Sequence, residues 1–216
     1  MEGKDLKARL FWAILIGIAF FTTGCTKSTD LDDLIGMSKD IQELYYEERN
    51  SGEIIFDGKV WAKDNQFKYE VTVYDNNKKI DTLGLLTDNS GKRTTYRIPN
   101  PNASSAPSTG ISGTFQGIRE DSFLRYIDRI DLEKAEIVGA EEVEGRQSVI
   151  VKTNTANGVD PSKLWIDKKT GVPTKIEFAE NEKMVTSLTY KNIKIGPGSV
   201  SDQEFAIPES AIILEQ

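Results

Sequence analysis

Side chains able to do chemistry are distributed unevenly along this chain: it has one cysteine, Cys25, no histidine, and 34 acidic residues against 27 lysines and arginines. Without imidazole there is no Ser-His-Asp triad, no Cys-His pair and no ordinary imidazole shell for zinc. Carboxylates remain for acid-base work. They gather as Glu43, Glu47 and Glu48, as Glu120 and Asp121, and as Glu141, Glu142 and Glu144. A glycosidase needs two acids across a cleft. Nothing in these spacings sets up such a pair, so the runs read as solvated faces. No Walker loop, EF-hand loop or nucleophile elbow occurs. The expectation is a non-enzyme with no cofactor and no metal. A net charge of −7 and a pI near 4.9 argue against a nucleic-acid partner, which requires a basic face.

Cys25 has a different use. Lys4, Lys7 and Arg9 precede an apolar stretch from Leu10 to Phe21, the order of charge and grease in a secretory signal. At roughly 1.5 Å per residue that stretch is too short to cross about 30 Å of hydrocarbon as a helix. Thr22-Thr23-Gly24-Cys25 follows and resembles the bacterial lipobox, with Thr22 where that box usually carries leucine. The resemblance implies cleavage before Cys25 and lipidation of its thiol, leaving no cysteine for catalysis or a disulfide. Residues 1–24 are then the signal peptide, residues 25–33 a lipidated cysteine and flexible tether, and residues 34–216 a single domain. The chain is expected to be extracytoplasmic and held on the cell membrane by its lipid, since acyl chains bind by about 0.8 kcal/mol per buried methylene.

The elements that would position any site follow from periodicity. Leu34, Met37, Ile41, Leu44 and Tyr45 recur at helical steps, which predicts an amphipathic helix to about Arg49, ended by Asn50-Ser51-Gly52. From Glu53 the period falls to two. Ile54 to Trp61, with a bulge or bend expected at Gly58, precedes a strand in which Phe67, Tyr69, Val71 and Val73 share one face. Asp75-Asn76-Asn77 turns into Ile80 to Thr87, and Asp88 to Gly91 turns into Arg93 to Ile98. Pro99 to Gly113 is a long loop, either a mobile insertion or a gate. Phe123, Leu124, Ile127 and Ile130 predict a second helix, capped by Asp121 or Ser122. Further strands are expected over Ala135–Val143, Gln147–Thr153, Lys163–Asp167, Thr174–Ala179 and Val185–Ile195, with a loop at Asn157-Gly158. The fold class is α+β, an antiparallel sheet with helices on one face.

The segment Leu164-Trp165-Ile166-Asp167-Lys168-Lys169-Thr170-Gly171-Val172-Pro173 is a strand-turn-strand in which Asp167 holds the entry, Gly171 accepts a positive φ and Pro173 fixes the exit. With Lys175 to Phe178, Leu188 to Ile193 and Phe205 to Pro208, it resembles the lipoprotein-localisation carrier (LolA-like) superfamily. That superfamily includes outer-membrane lipoprotein-sorting receptors, mycobacterial lipid-carrying lipoproteins, and sporulation and germination lipoproteins. The resemblance implies a strongly curved antiparallel sheet, an incomplete β-barrel, with helices covering the open face around an apolar concavity. It further implies binding without catalysis.

Two functions stay open. In one, Trp61, Phe67, Tyr69, Val71, Leu85 and Phe178 line a hollow that binds an acyl chain or a lipoprotein cargo. In the other, the hollow is packed shut and the chain is an interaction subunit for an envelope protein partner, as a germination lipoprotein is for a cortex-modifying amidase. The remaining enzymatic option is a carboxylate-dependent cell-wall hydrolase.

Overall fold

The computed structural model describes residues 30–215 apart from 53–54, 76–77, 103–114, 154 and 156. The signal peptide, Cys25 and most of the Pro99–Gly113 loop lie outside the described residues. Residues 31–216 form one compact unit, with a hydrophobic core of its own.

Strands dominate because the chain is a succession of period-two segments joined by short turns. In order they are β1 (Glu43–Asn50), β2 (Phe56–Lys63), β3 (Gln66–Asp75), β4 (Lys78–Thr87), β5 (Arg93–Ile98), β6 (Glu136–Val143), β7 (Arg146–Lys152), β8 (Asn157–Asp167), β9 (Pro173–Glu180), β10 (Lys183–Ile195) and β11 (Ile212–Glu215). They make one eleven-stranded antiparallel sheet, in the order β11-β5-β4-β3-β2-β1-β10-β9-β8-β7-β6. β1 joins the two meanders through its pairing with β10. The sheet is not closed, so β11 and β6 are its edges.

Helix is scarce among the described residues: α1 (Leu31–Gly36), α2 (Ile118–Asp121), α3 (Arg125–Asp128) and a 3-10 turn at Asp202–Phe205. The helix expected over Leu34–Arg49 is therefore mostly wrong. Its first turn is α1, which begins within the expected tether, and residues 43–50 are the central strand β1, paired along both sides. Leu44 and Tyr45, which the helical spacing put on one stripe, fall in separate apolar clusters on opposite faces of the strand. Two flanking ladders satisfy every second backbone group on each side, and this outweighs weak local helix preference. The second expected helix is split into α2 and α3. Its apolar residues Phe123, Leu124, Ile127 and Ile130 are nevertheless all buried. β8 also starts earlier than expected, at Asn157.

Alternation gives the sheet two faces. The front face carries the main core, from Leu44, Tyr46, Val60 and Phe67 in the first meander to Val151, Leu164, Ile176 and Tyr190 in the second. A bulge in the β1–β10 pairing, with Asn192 at φ 52°, lets Tyr190 and Ile193 both face this core although they are three residues apart. The back face carries a smaller cluster of Tyr45, Trp61, Val200 and Phe205, closed by the chain around the 3-10 turn.

The Leu164–Pro173 turn forms as its residues dictate. Asp167 accepts hydrogen bonds from the Lys169 amide (3.1 Å), the Thr170 hydroxyl (2.6 Å) and Arg146 Nη1 (2.7 Å). Gly171 has φ 70°, and a Cβ there would lie 2.1 Å from the carbonyl oxygen of Leu34. Glycine is thus required twice, for its backbone angle and because α1 rests directly on the turn.

Candidate ligand-binding hollow

The front face of β1–β4 and β10 is not filled completely. Phe115, Phe123 and Tyr126, from the segment around α2 and α3, stand against it. The Phe123 ring lies 4.2 Å from that of Tyr46 and 4.9 Å from that of Tyr190, Phe115 stacks on Phe67 at 5.0 Å, and Tyr126 meets Phe178 edge-on at 5.6 Å. Between them lies a cavity of about 300 Å³, lined by Tyr46, Glu48, Phe56, Val60, Phe67, Tyr69, Leu85, Phe115, Asp121, Ser122, Phe123, Arg125, Tyr126, Leu188 and Tyr190.

Its wall combines eight aromatic side chains with Glu48, Asp121, Ser122 and Arg125, so polar and apolar surface face the hollow in similar measure. Glu48 Oε1 accepts a hydrogen bond of 2.9 Å from the Tyr69 hydroxyl. Burial pushes the Glu48 carboxyl above the usual range, against the pull of the Tyr69 hydroxyl and the Arg125 charge. The hydroxyls of Tyr46, Tyr69 and Tyr190 are held well above their ordinary pKa, first by burial and then by the Glu48 charge, so they remain protonated. Tyr190 is fully buried and its hydroxyl has no hydrogen-bond partner among the described residues. Arg125 donates to the Tyr126 hydroxyl at 2.8 Å and lies over that ring at 4.8 Å.

Gly58 makes the polar arrangement possible. A Cβ there would come within 2.7 Å of the Glu48 side chain and 3.0 Å of the Tyr69 ring. The bulge expected at Gly58 is absent, and pairing runs without a register shift through it on both sides. The glycine serves close approach of side chains instead.

Of the residues singled out from the sequence, Phe67, Tyr69 and Leu85 line the cavity. Val71 continues the same strand face but does not line it; Phe178 packs in the front core against Tyr126. Trp61 is a correction. It lies on the back face, 5.5 Å from the Tyr45 ring, with its Nε1 donating to Glu204 at 3.3 Å. Val60 faces the hollow in its place, because successive strand residues point oppositely. Tyr46, Glu48, Phe123, Arg125 and Tyr190 escaped the sequence reading. Glu48 in particular reads as part of a solvated acidic run only while residues 43–50 are taken as helix; in a strand, Leu44, Tyr46 and Glu48 share one face.

The back face has a recess of similar size, about 310 Å³, but its walls are charged and hydroxyl-bearing. Those groups bond one another, Tyr74 donating to Asp57 at 2.8 Å and Thr72 meeting Thr82 at 2.8 Å.

No family model and no curated protein matches the sequence. Among solved structures the chain is similar to MucB, with a TM-score of 0.52 and 12% identity over 88% of this chain and 66% of that one. It is also similar to a chain of the Pseudomonas aeruginosa MucA/MucB complex, with a TM-score of 0.51 and 12% identity over 86% of this chain and 63% of that one. The matched region is thus just under two thirds of those chains. At this identity the likeness is one of fold.

Proposed function

We propose that this chain is a non-catalytic, extracytoplasmic binding domain of LolA-like fold, tethered to the membrane through lipid on Cys25, whose front-face hollow takes a hydrophobic ligand. The ligand is an acyl chain, free or carried by a lipoprotein. The observation that carries this reading is the unfilled aromatic cavity. A concave hollow of about 300 Å³ that opens to solvent and is walled by eight aromatic side chains is the kind of surface that takes a ligand. Each methylene seated there contributes about 0.8 kcal/mol. In this reading the segment around α2 and α3 is the cover of an incomplete barrel, and the likeness of fold to MucB supports the scaffold.

Native mass spectrometry of residues 30–216, purified without detergent, tests the ligand. A bound lipid mass is expected, and it should vanish when Val60→Trp fills the hollow. A fragment that is always empty and does not take up added lipid overturns the reading. Palmitate labelling of the full chain, lost in Cys25→Ser, tests the anchor.

A second reading is favoured by the sheet edges. β11 exposes Ile212, Ile213 and Leu214, and β6 exposes Ile137 and Val138, each on a strand with one side unpaired among the described residues. The similar MucB has been solved in complex with MucA. On this reading the chain adds an envelope protein to a sheet edge, as a germination lipoprotein would with its amidase. Substituting Ile137 and Val138 by lysine would then abolish partner capture while leaving lipid uptake intact.

A further inference from the structure

Depth sorts the residues that line the hollow. Those that reach solvent include all three charged ones, Glu48, Asp121 and Arg125, together with Phe56 and Leu188. The buried ones carry no charge, and Val60, Phe67 and Leu85 are only 2%, 5% and 7% exposed. We infer that the hollow is a one-ended slot for a single alkyl chain, entered tail first, in which Phe67, Leu85 and Phe115 form the blind end that measures chain length. This inference rests on the ligand reading above and narrows it from any acyl lipid to one chain of medium length.

The pairing register gives the slot its direction. Phe56 is the first residue of β2, and Leu188 stands opposite Asn50, the last residue of β1, so the mouth lies at that end of these strands. Phe67 pairs with Ala62, six residues further along β2, which at about 3.3 Å per residue puts it roughly 20 Å away. There Phe115 stacks on Phe67, with ring centres 5.0 Å apart and planes 22° apart, and closes the slot. Charges of both signs stand at the mouth, where the head of an amphiphile stays in water. The wall therefore reads the tail and is indifferent to the sign of the head.

Volume sets the capacity. A cavity of about 150 Å³ lined by apolar side chains holds one benzene, so at the same density about 300 Å³ takes roughly twelve carbons. That is one chain, and a lipid with several chains could seat only one of them. Carbons beyond that number remain outside the mouth and bury nothing further, so they add no affinity.

The test is titration calorimetry on residues 30–216, which hold the whole compact unit. It compares n-alkanoates with n-alkylamines at even chain lengths from about six to sixteen carbons, each kept below its micelle concentration. Affinity is expected to tighten about fourfold per methylene, then to level off near twelve carbons, at the same length in both series. Leu85→Phe should move the break to a chain about two carbons shorter, and Phe67→Ala to a longer one. Tightening that runs on unchanged to the longest probes, a break at different lengths in the two series, or a break that neither variant moves overturns the length inference and leaves the ligand reading standing. Binding of no probe in either series overturns both. The wild-type series decides by itself, so a variant that fails to fold does not rescue the idea.

Discussion

Two charges on opposite faces of the same sheet, Lys68 buried and Glu48 partly buried, are treated in opposite ways. On the back, Lys68 is 5% exposed and all three of its donors are used: Nζ bonds the carbonyls of Glu204 (3.0 Å) and Ala206 (2.9 Å), pairs with Glu70 (3.1 Å), and lies 4.9 Å from the Trp61 ring. On the front, Glu48 has one hydroxyl and an adjoining void. The first charge is a latch that fastens the chain around the 3-10 turn onto β2 and β3. The second borders the hollow proposed to take a ligand. A buried charge with every partner present holds the architecture together, and a partly buried one beside an open hollow is left accessible.

Substitutions can break this contrast. The largest effect is expected from Trp61→Ala, which empties the back cluster and removes the bond to Glu204; about 3–5 kcal/mol of stability should be lost in urea melts. Affinity for any ligand of the hollow should stay within about twofold, and a larger change would mean that the two faces are not separate. Lys68→Met keeps much of the volume but strands Glu70 and two carbonyls. A loss of about 3 kcal/mol is expected, with faster amide exchange over residues 200–206. An unchanged melt would show that the latch is idle. On the front the sign reverses. Tyr190→Phe deletes a hydroxyl that has no partner among the described residues, so the empty protein should gain about 1 kcal/mol in thermal melts. A loss of stability would mean the hydroxyl is bonded after all.

Glu48 gives the gentlest effect, seen as a slope. Its folded-state pKa is raised above the reference value of 4.5, chiefly by burial, so folding favours the neutral acid. The stabilisation is fully present below the unfolded-state value and is lost as pH rises through the folded one. Urea melts from about pH 4 to pH 8 should therefore show wild type losing stability relative to Glu48→Gln as pH rises. A difference independent of pH, or wild type gaining stability relative to Glu48→Gln as pH rises, would overturn this expectation.

The hollow was only half legible in the sequence. Phe67, Tyr69 and Leu85 were found because β3 alternates cleanly and β4 follows it through a hairpin, so local spacing sufficed. Trp61 was misplaced for want of a phase: β2 reads FDGKVWAK, where Val60 and Trp61 are equally apolar and nothing local says which points inward. Glu48 was missed because residues 43–50 were read as a helix, on which it joins Glu43 and Glu47 in a solvated acidic run. Its inward position depends on Gly58 across the pairing and on the rings of α2–α3 above it.

What the chain's order of residues settled alone were the features closed by near neighbours. The hairpins between β2, β3 and β4 need only alternation and turn residues, and the Asp167–Pro173 turn needs only an acceptor, a glycine and a proline at fixed offsets. Tertiary structure decided that residues 43–50 are a strand, because β1 exists by virtue of a partner, β10, some 140 residues away along the chain. It also decided which face of each strand is the inner one. A period of two specifies that two faces exist, and only packing against distant elements selects between them.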